Sequence, residues 1–394
     1  MKRKSLFIIF VTVLFAVFCA FDFTAVKADG QKDVEKELGE NIDRLIEDTD
    51  FGELDEYLKE VDEITGSRSS VSSILKKLIK GEEIYGYDNV FKYLFSLIFG
   101  GIKEKLPIFI SLFVILIVCS VLGCFGPDKL DGVGELTRLI GFSIVACVVA
   151  TVGASVVSSA KSACEKTVKT VQSCFPFLLA FITASGGAAQ SAVYAPSTLF
   201  IQNFTAAFIC KITFPCVTLM LALSIISNIC KEIKIKGFIE FLSGFMKWGI
   251  GLVGAVFTVF TAVKGFSAGV IDGVGLRTLK YAVGSSVPLV GGILSGGTDV
   301  ILSAVTLTKN AFGTLILILI FGAVVKPVVE IAALTLSLRL LGAITQPITD
   351  DRTYSFIKSC VSALNHALAG VILVAFMYVV GVLVMIAASG GDLI

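Results

Sequence analysis

Six stretches of this chain stay apolar long enough to cross a lipid bilayer, and that restricts the fold more than any other feature. They run from Leu106 to Phe125, Leu139 to Val157, Phe204 to Ile229, Trp248 to Phe266, Phe312 to Leu338 and Val361 to Ala388. About 20 residues of helix cover the hydrocarbon core. In lipid every backbone N–H and C=O must find its partner within the protein, so runs of this kind fold as helices. The composition agrees, at 55 % hydrophobic and 16 % charged residues with a mean hydropathy of +0.88. The expected fold is an all-α, polytopic membrane bundle of about six full transmembrane helices.

Between these spans the chain writes one pattern twice. The first copy is Ser173-Cys174-Phe175-Pro176, an apolar stretch, then Ser185-Gly186-Gly187. The second is Ser285-Ser286-Val287-Pro288, an apolar stretch, then Ser295-Gly296-Gly297. Pro176 and Pro288 are 112 residues apart, as are Pro215 and Pro327 in the long runs that follow. The glycine pairs are 110 apart, so one copy carries a two-residue indel. The chain has only eight prolines, which makes two in register informative. Ser389-Gly390-Gly391 lacks this context, so the tripeptide alone carries little. The spacing predicts two parallel repeats, about 136–247 and 248–359, with a final span at 361–388.

Each apolar limb is short for a full crossing: Phe175 to Ala184 is ten residues and Leu289 to Leu294 is six. Gly-Gly permits a sharp turn. Two re-entrant or broken helical elements are therefore expected beside the six spans. Gly/Pro-interrupted apolar segments at matching places in two halves point to a binding or conducting site. They serve equally as packing surfaces, because small residues let membrane helices approach closely. The candidate path-lining or packing residues are Pro176, Gly186, Gly187, Pro288, Gly296 and Gly297.

Lys326 and Glu330 join that set. They lie four residues apart, on one helical face. Charges at membrane depth cost about 2.5 to 3.5 kcal/mol each on insertion scales, so the two should face the bundle interior, as a pathway site or an internal ion pair. Lys211 sits nearer the end of its span and is expected to snorkel to the surface. Gln190, Asn203, Asp299 and Asn310 flank the broken elements and are candidates for a wet vestibule, while Asn365 and His366 open the last span.

The N-terminus reads as a signal peptide at 1–28, with Lys2-Arg3-Lys4, the apolar Leu6 to Phe21, and small residues at Val26 and Ala28. An uncleaved signal anchor is the rival, and bulky Phe18 before Cys19 disfavours a lipoprotein. Residues 29–84 form an acidic helical extracytoplasmic segment, with fifteen acids against four bases from Asp29 to Glu63. Its basic second piece spaces Val71, Ile74, Leu75 and Leu78 on one helical face. This segment is a solvated hairpin or a docking arm. Residues 85–105, rich in Tyr and Phe, suit an interfacial amphipathic helix. The membrane domain then occupies 106–394.

Charge sets the orientation. The loops after Ile229 and Leu338 are the basic ones and belong in the cytoplasm. With the N-terminal segment outside, that holds only if each broken element crosses an even number of times. Both elements then enter from the outer face.

Several functions are disfavoured. Ten cysteines show no C-x-x-C spacing, and those inside apolar runs act as small hydrophobes. One histidine argues against a His-based metal site, and no nucleotide-binding, serine-hydrolase or zinc-protease motif occurs. No metal, cofactor, catalytic residue or nucleic acid partner is expected, so the chain is read as no enzyme.

The layout resembles the stage III sporulation protein AE family of endospore-forming bacteria. The resemblance rests on the order of segments, on FPFLLAFITASGGAAQSAVYAPSTLF (Phe175 to Phe200) and on KPVVEIA (Lys326 to Ala332). It implies a non-enzymatic subunit of a sporulation-specific, secretion-like transport channel between mother cell and forespore. The implied seat is the mother-cell (outer forespore) membrane, with the N-terminal segment extracytoplasmic. Implied partners are the other stage III A proteins and stage II sporulation protein Q. A stand-alone secondary transporter for a small solute is the alternative, an export-gate scaffold a third reading, and self-association stays open.

Overall fold

A computed structural model describes residues 70–79, 110–118, 131–184, 188–229, 235–286, 291–347 and 351–388, with the single positions 58, 100 and 107. The described elements are helices: α1 (Val71–Ile79), α2 (Asp131–Ala184), α3 (Ala188–Phe208), a π-helical turn (Ile209–Thr213), α4 (Phe214–Ile229), α5 (Lys236–Ser286), α6 (Gly291–Thr345) and α7 (Asp351–Ala388). Five stretches are long and apolar enough to cross a membrane: Leu136–Thr183, Pro196–Ile229, Lys236–Ala262, Leu307–Thr345 and Asp351–Ile386. This is the polytopic all-α class that the apolar runs demand. Of the first run, residue 107 and residues 110–118 are described, and they are helical. The signal peptide, most of the acidic segment and nearly all of the interfacial stretch lie outside the described residues.

The helices are longer than the apolar runs suggest. The sequence places a link at Lys161 to Lys169, but α2 passes through it without a break. That stretch holds no Gly or Pro, and Lys161 and Glu165 form an i,i+4 ion pair at 3.8 Å. Charge there marks where a helix leaves lipid, not where it stops. At 54 residues, α2 is about 80 Å long, against a hydrocarbon core of about 30 Å. The sequence also places a loop at Lys231 to Lys247 and a link at Ser267 to Lys280, and both are helical within α5 from Lys236 onwards.

The core is built where α2, α6 and α7 meet, with α4 packed on α7. Phe312 of α6 is buried between Phe177 and Phe181 of α2, at ring-centroid distances of 5.8 and 5.7 Å. Phe142 of α2 meets Phe356 of α7 edge-on at 5.5 Å. Such aromatic pairs contribute about 0.5 to 1.5 kcal/mol beyond their buried area. α5 is peripheral: only 22 % of its apolar window is buried, against 44 to 50 % for the other four spans. Phe238, Phe241, Phe245 and Trp248 stand exposed along it.

α1 docks on α6. Ser70 caps it, its Oγ accepting from the Ser73 N–H at 3.3 Å. Val71, Ile74 and Leu75 are buried, as their spacing requires.

Candidate functional site

Pro215 has no N–H, so the carbonyl one turn before it loses its helical partner. The chain answers by widening the helix just upstream: residues Ile209–Thr213 form a π-turn, closed by the Phe214 N–H donating to the Ile209 carbonyl. Such turns are frequent at functional sites, and in membranes they help re-satisfy backbone groups freed by proline. The widening strands one side chain. Several buried helical hydroxyls donate to the carbonyl four residues back, as Thr167 does to Ala163 at 2.8 Å and Ser224 to Met220 at 2.6 Å. Thr213 Oγ1 is buried with no such partner, a state it shares with the Ser227 and Thr335 hydroxyls. In a π-turn the carbonyl four residues back is displaced from its α-helical position.

Beside this turn lies a polar seam joining α2, α3 and α7. Gln172 Nε2 donates to Asn203 Oδ1 at 3.0 Å, and the buried Tyr378 hydroxyl donates to the same oxygen at 3.1 Å. Gln202 Nε2 donates to the Met377 carbonyl at 3.0 Å. Gly381 makes that last bond possible, because a Cβ there would overlap the Gln202 carboxamide. Interhelical hydrogen bonds of this kind in membrane proteins average about 0.6 kcal/mol each. The adjoining crevice, lined by Val171, Phe175, Leu178, Gln202, Ile316 and Val382, has no room for a water molecule. In this conformation the seam is a packed contact.

The candidates named from the sequence fall in different places. Pro176 lies inside α2, which continues to Ala184. Gly186, Gly187 and Pro288 lie outside the described residues. Gly296 and Gly297 lie within the first two turns of α6. Lys326 is exposed, Glu330 is half-buried, and the two make no ion pair with one another. Lys211 is exposed on the π-turn. Asn203 stands in the seam, while Asn310 is exposed. Asn365 accepts from Arg339 at 3.1 Å, and His366 Nε2 lies 2.9 Å from the Ser243 carbonyl.

Sequence reasoning missed Gln172, Gln202 and Tyr378, each a lone polar residue in an apolar run. Gln202 and Asn203 are adjacent, and that doublet was the available signal. It also missed Lys309, buried near the start of a span, whose Nζ donates to the Ile386 carbonyl at 3.0 Å. A cation at the last carbonyls of a helix is favoured by the helix dipole, and α7 ends at Ala388.

Long apolar helices, cross-helix polar contacts and a proline-induced π-turn define a polytopic helical membrane protein. The chain belongs to the stage III sporulation protein AE family, whose family model matches residues 69–389. Stage III sporulation protein AE of Bacillus subtilis (strain 168) is 24 % identical over 316 residues, covering 80 % of this chain and 79 % of that protein. No solved structure matches. The family match opens at residue 69, after the acid-rich part from Asp29 to Glu63, and takes in both copies of the duplicated pattern.

Proposed function

We propose that this protein is a non-enzymatic membrane subunit of a sporulation transport channel between mother cell and forespore. It sits in the mother-cell membrane with its N-terminal segment outside the cytoplasm. The observation that carries this reading is the family match across both copies and the final span. Its partners are the other stage III A proteins and stage II sporulation protein Q, the set that the resemblance implies. The two interrupted elements, with Pro176, Gly186, Gly187, Pro288, Gly296 and Gly297, line the path or seat the partners, and Lys326 and Glu330 stand near it on α6.

The closed seam supports a role that depends on partners: a path near it must open by moving helices apart. The test is affinity purification of the full chain from sporulating cells in mild detergent. The proposal predicts co-purification of other stage III membrane proteins in fixed proportion. Purification alone, with stabilisation by a small solute, would instead establish the stand-alone transporter.

A further inference from the structure

We propose that Cys164 of α2 and Cys210 of the π-turn form a dithiol–disulfide pair that staples the widened turn to the neighbouring helix. The Gln172–Asn203 hydrogen bond fixes the antiparallel register of α2 against α3. Eight residues before Gln172 stands Cys164, and seven residues after Asn203 stands Cys210, about two turns along each helix. The register brings the two thiols face to face, and they are hydrogen-bonded to each other. Both are buried, at 0 % and 6 % exposure. Among the described residues, Cys174, Cys216 and Cys360 have no such thiol neighbour.

The setting favours oxidation. Lys161, Glu165 and Lys169 flank Cys164, Lys211 adjoins Cys210, and all four are exposed. Charged side chains collect where a helix meets water, so the pair lies at a membrane boundary. This step rests on the proposed orientation, in which that boundary faces outside the cytoplasm. Disulfides persist in such oxidising spaces.

The oxidant is a low-molecular-weight disulfide. Cys210, the less buried of the two, attacks it as thiolate and forms a mixed disulfide, releasing one small thiol. The Cys164 thiolate then displaces the second small thiol and closes the Cys164–Cys210 bond. Two S–H bonds are lost, one S–S bond forms, and the two electrons and two protons leave on the two small thiols.

The full chain, purified in mild detergent, is incubated with oxidised glutathione, denatured in the presence of an alkylating reagent and mapped by peptide mass. The result expected is a peptide cross-link joining Cys164 to Cys210, lost on reduction. Cys164→Ser and Cys210→Ser abolish it, and Cys360→Ser leaves it intact. Both thiols still fully alkylated in the oxidised wild-type protein would overturn the pair, as would a cross-link to a third cysteine. The wild-type map decides this even where a serine variant fails to fold. Alkylation of the pair with membrane-impermeant maleimide in cells, after reduction, tests the orientation separately. Labelling only in inverted vesicles would refute the outward placement and leave the pairing untouched.

Discussion

The two copies of the duplicated pattern share a proline and a Ser-Gly-Gly, and the described helices carry different parts of each. In the first, α2 runs through Pro176 to Ala184 and α3 begins at Ala188, with Ser185-Gly186-Gly187 outside the described residues. In the second, α5 ends at Ser286 and α6 begins at Gly291, with Pro288 outside the described residues and Gly296-Gly297 inside α6. The later prolines differ too. Pro215 follows a π-turn, whereas Pro327 is carried within α6. A helix can thus carry the proline of this motif where packing supports it. Around Pro176 the packing is visible: Cys174, Leu178 and Ile182 are buried, and Phe177 and Phe181 hold Phe312. That support lets α2 carry a proline whose intrinsic cost in a helix interior is about 3 kcal/mol.

The largest expected effect follows from that support. Phe312→Ala removes the buried ring on which the first copy rests and should destabilise the protein by about 3 to 5 kcal/mol. It is read as a lowered unfolding midpoint in detergent. A double-mutant cycle with Phe177→Ala should show coupling, because the two rings touch. Additive losses would mean that the copies do not support each other there.

Next in size is Gly381→Ala, which places a methyl group on the Gln202 carboxamide. Overpacking of this kind costs about 1 to 3 kcal/mol. Adding Gln202→Ala should recover part of the loss, since it removes the clash. No recovery would show that the glycine is needed for something else.

Tyr378→Phe deletes one of the two donors to Asn203 and should cost about 0.5 to 1.5 kcal/mol. Thr335→Val on α6 is the sharper partner experiment. The Thr335 hydroxyl is buried without a hydrogen bond, and removing an unsatisfied group of that kind is near neutral or stabilising. Equal losses in the two variants would erase the contrast between the bonded seam and α6.

Pro215→Ala should change stability least. A regained N–H and better helix propensity favour the variant, but the packing of Ile209 on Gly370, built for the π-turn, is lost. What should move is the register, seen as faster alkylation of Cys210. Pro327→Ala should leave that rate unchanged. If both prolines behave alike, the π-turn has another origin.

The sequence made the fold class legible because long apolar runs admit only helices in lipid. The apolar positions of α1 were legible for a related reason: Val71, Ile74 and Leu75 recur at helical spacing and are buried. Helix ends were not, because Lys161 to Lys169 reads as polar while the backbone keeps its ladder. Of the site, Asn203 was flagged and found in the seam, but Gln202, Gln172 and Tyr378 were not. Single polar residues gain meaning only when helices distant in sequence meet. Gln202 and Met377 are 175 residues apart, and no local pattern connects them. Lys326 and Glu330 have the spacing of an ion pair without forming one, because spacing fixes a face and not a contact.

We propose that both copies open towards the same side of the membrane. Single cysteines placed through Ala184 to Gln190 and Leu294 to Asp299, in an otherwise cysteine-free chain, would be tested with membrane-impermeant maleimide in intact cells and in inverted vesicles. The expected result is labelling of both stretches from outside and protection of both in inverted vesicles. Labelling from opposite sides, or of neither stretch, would contradict it.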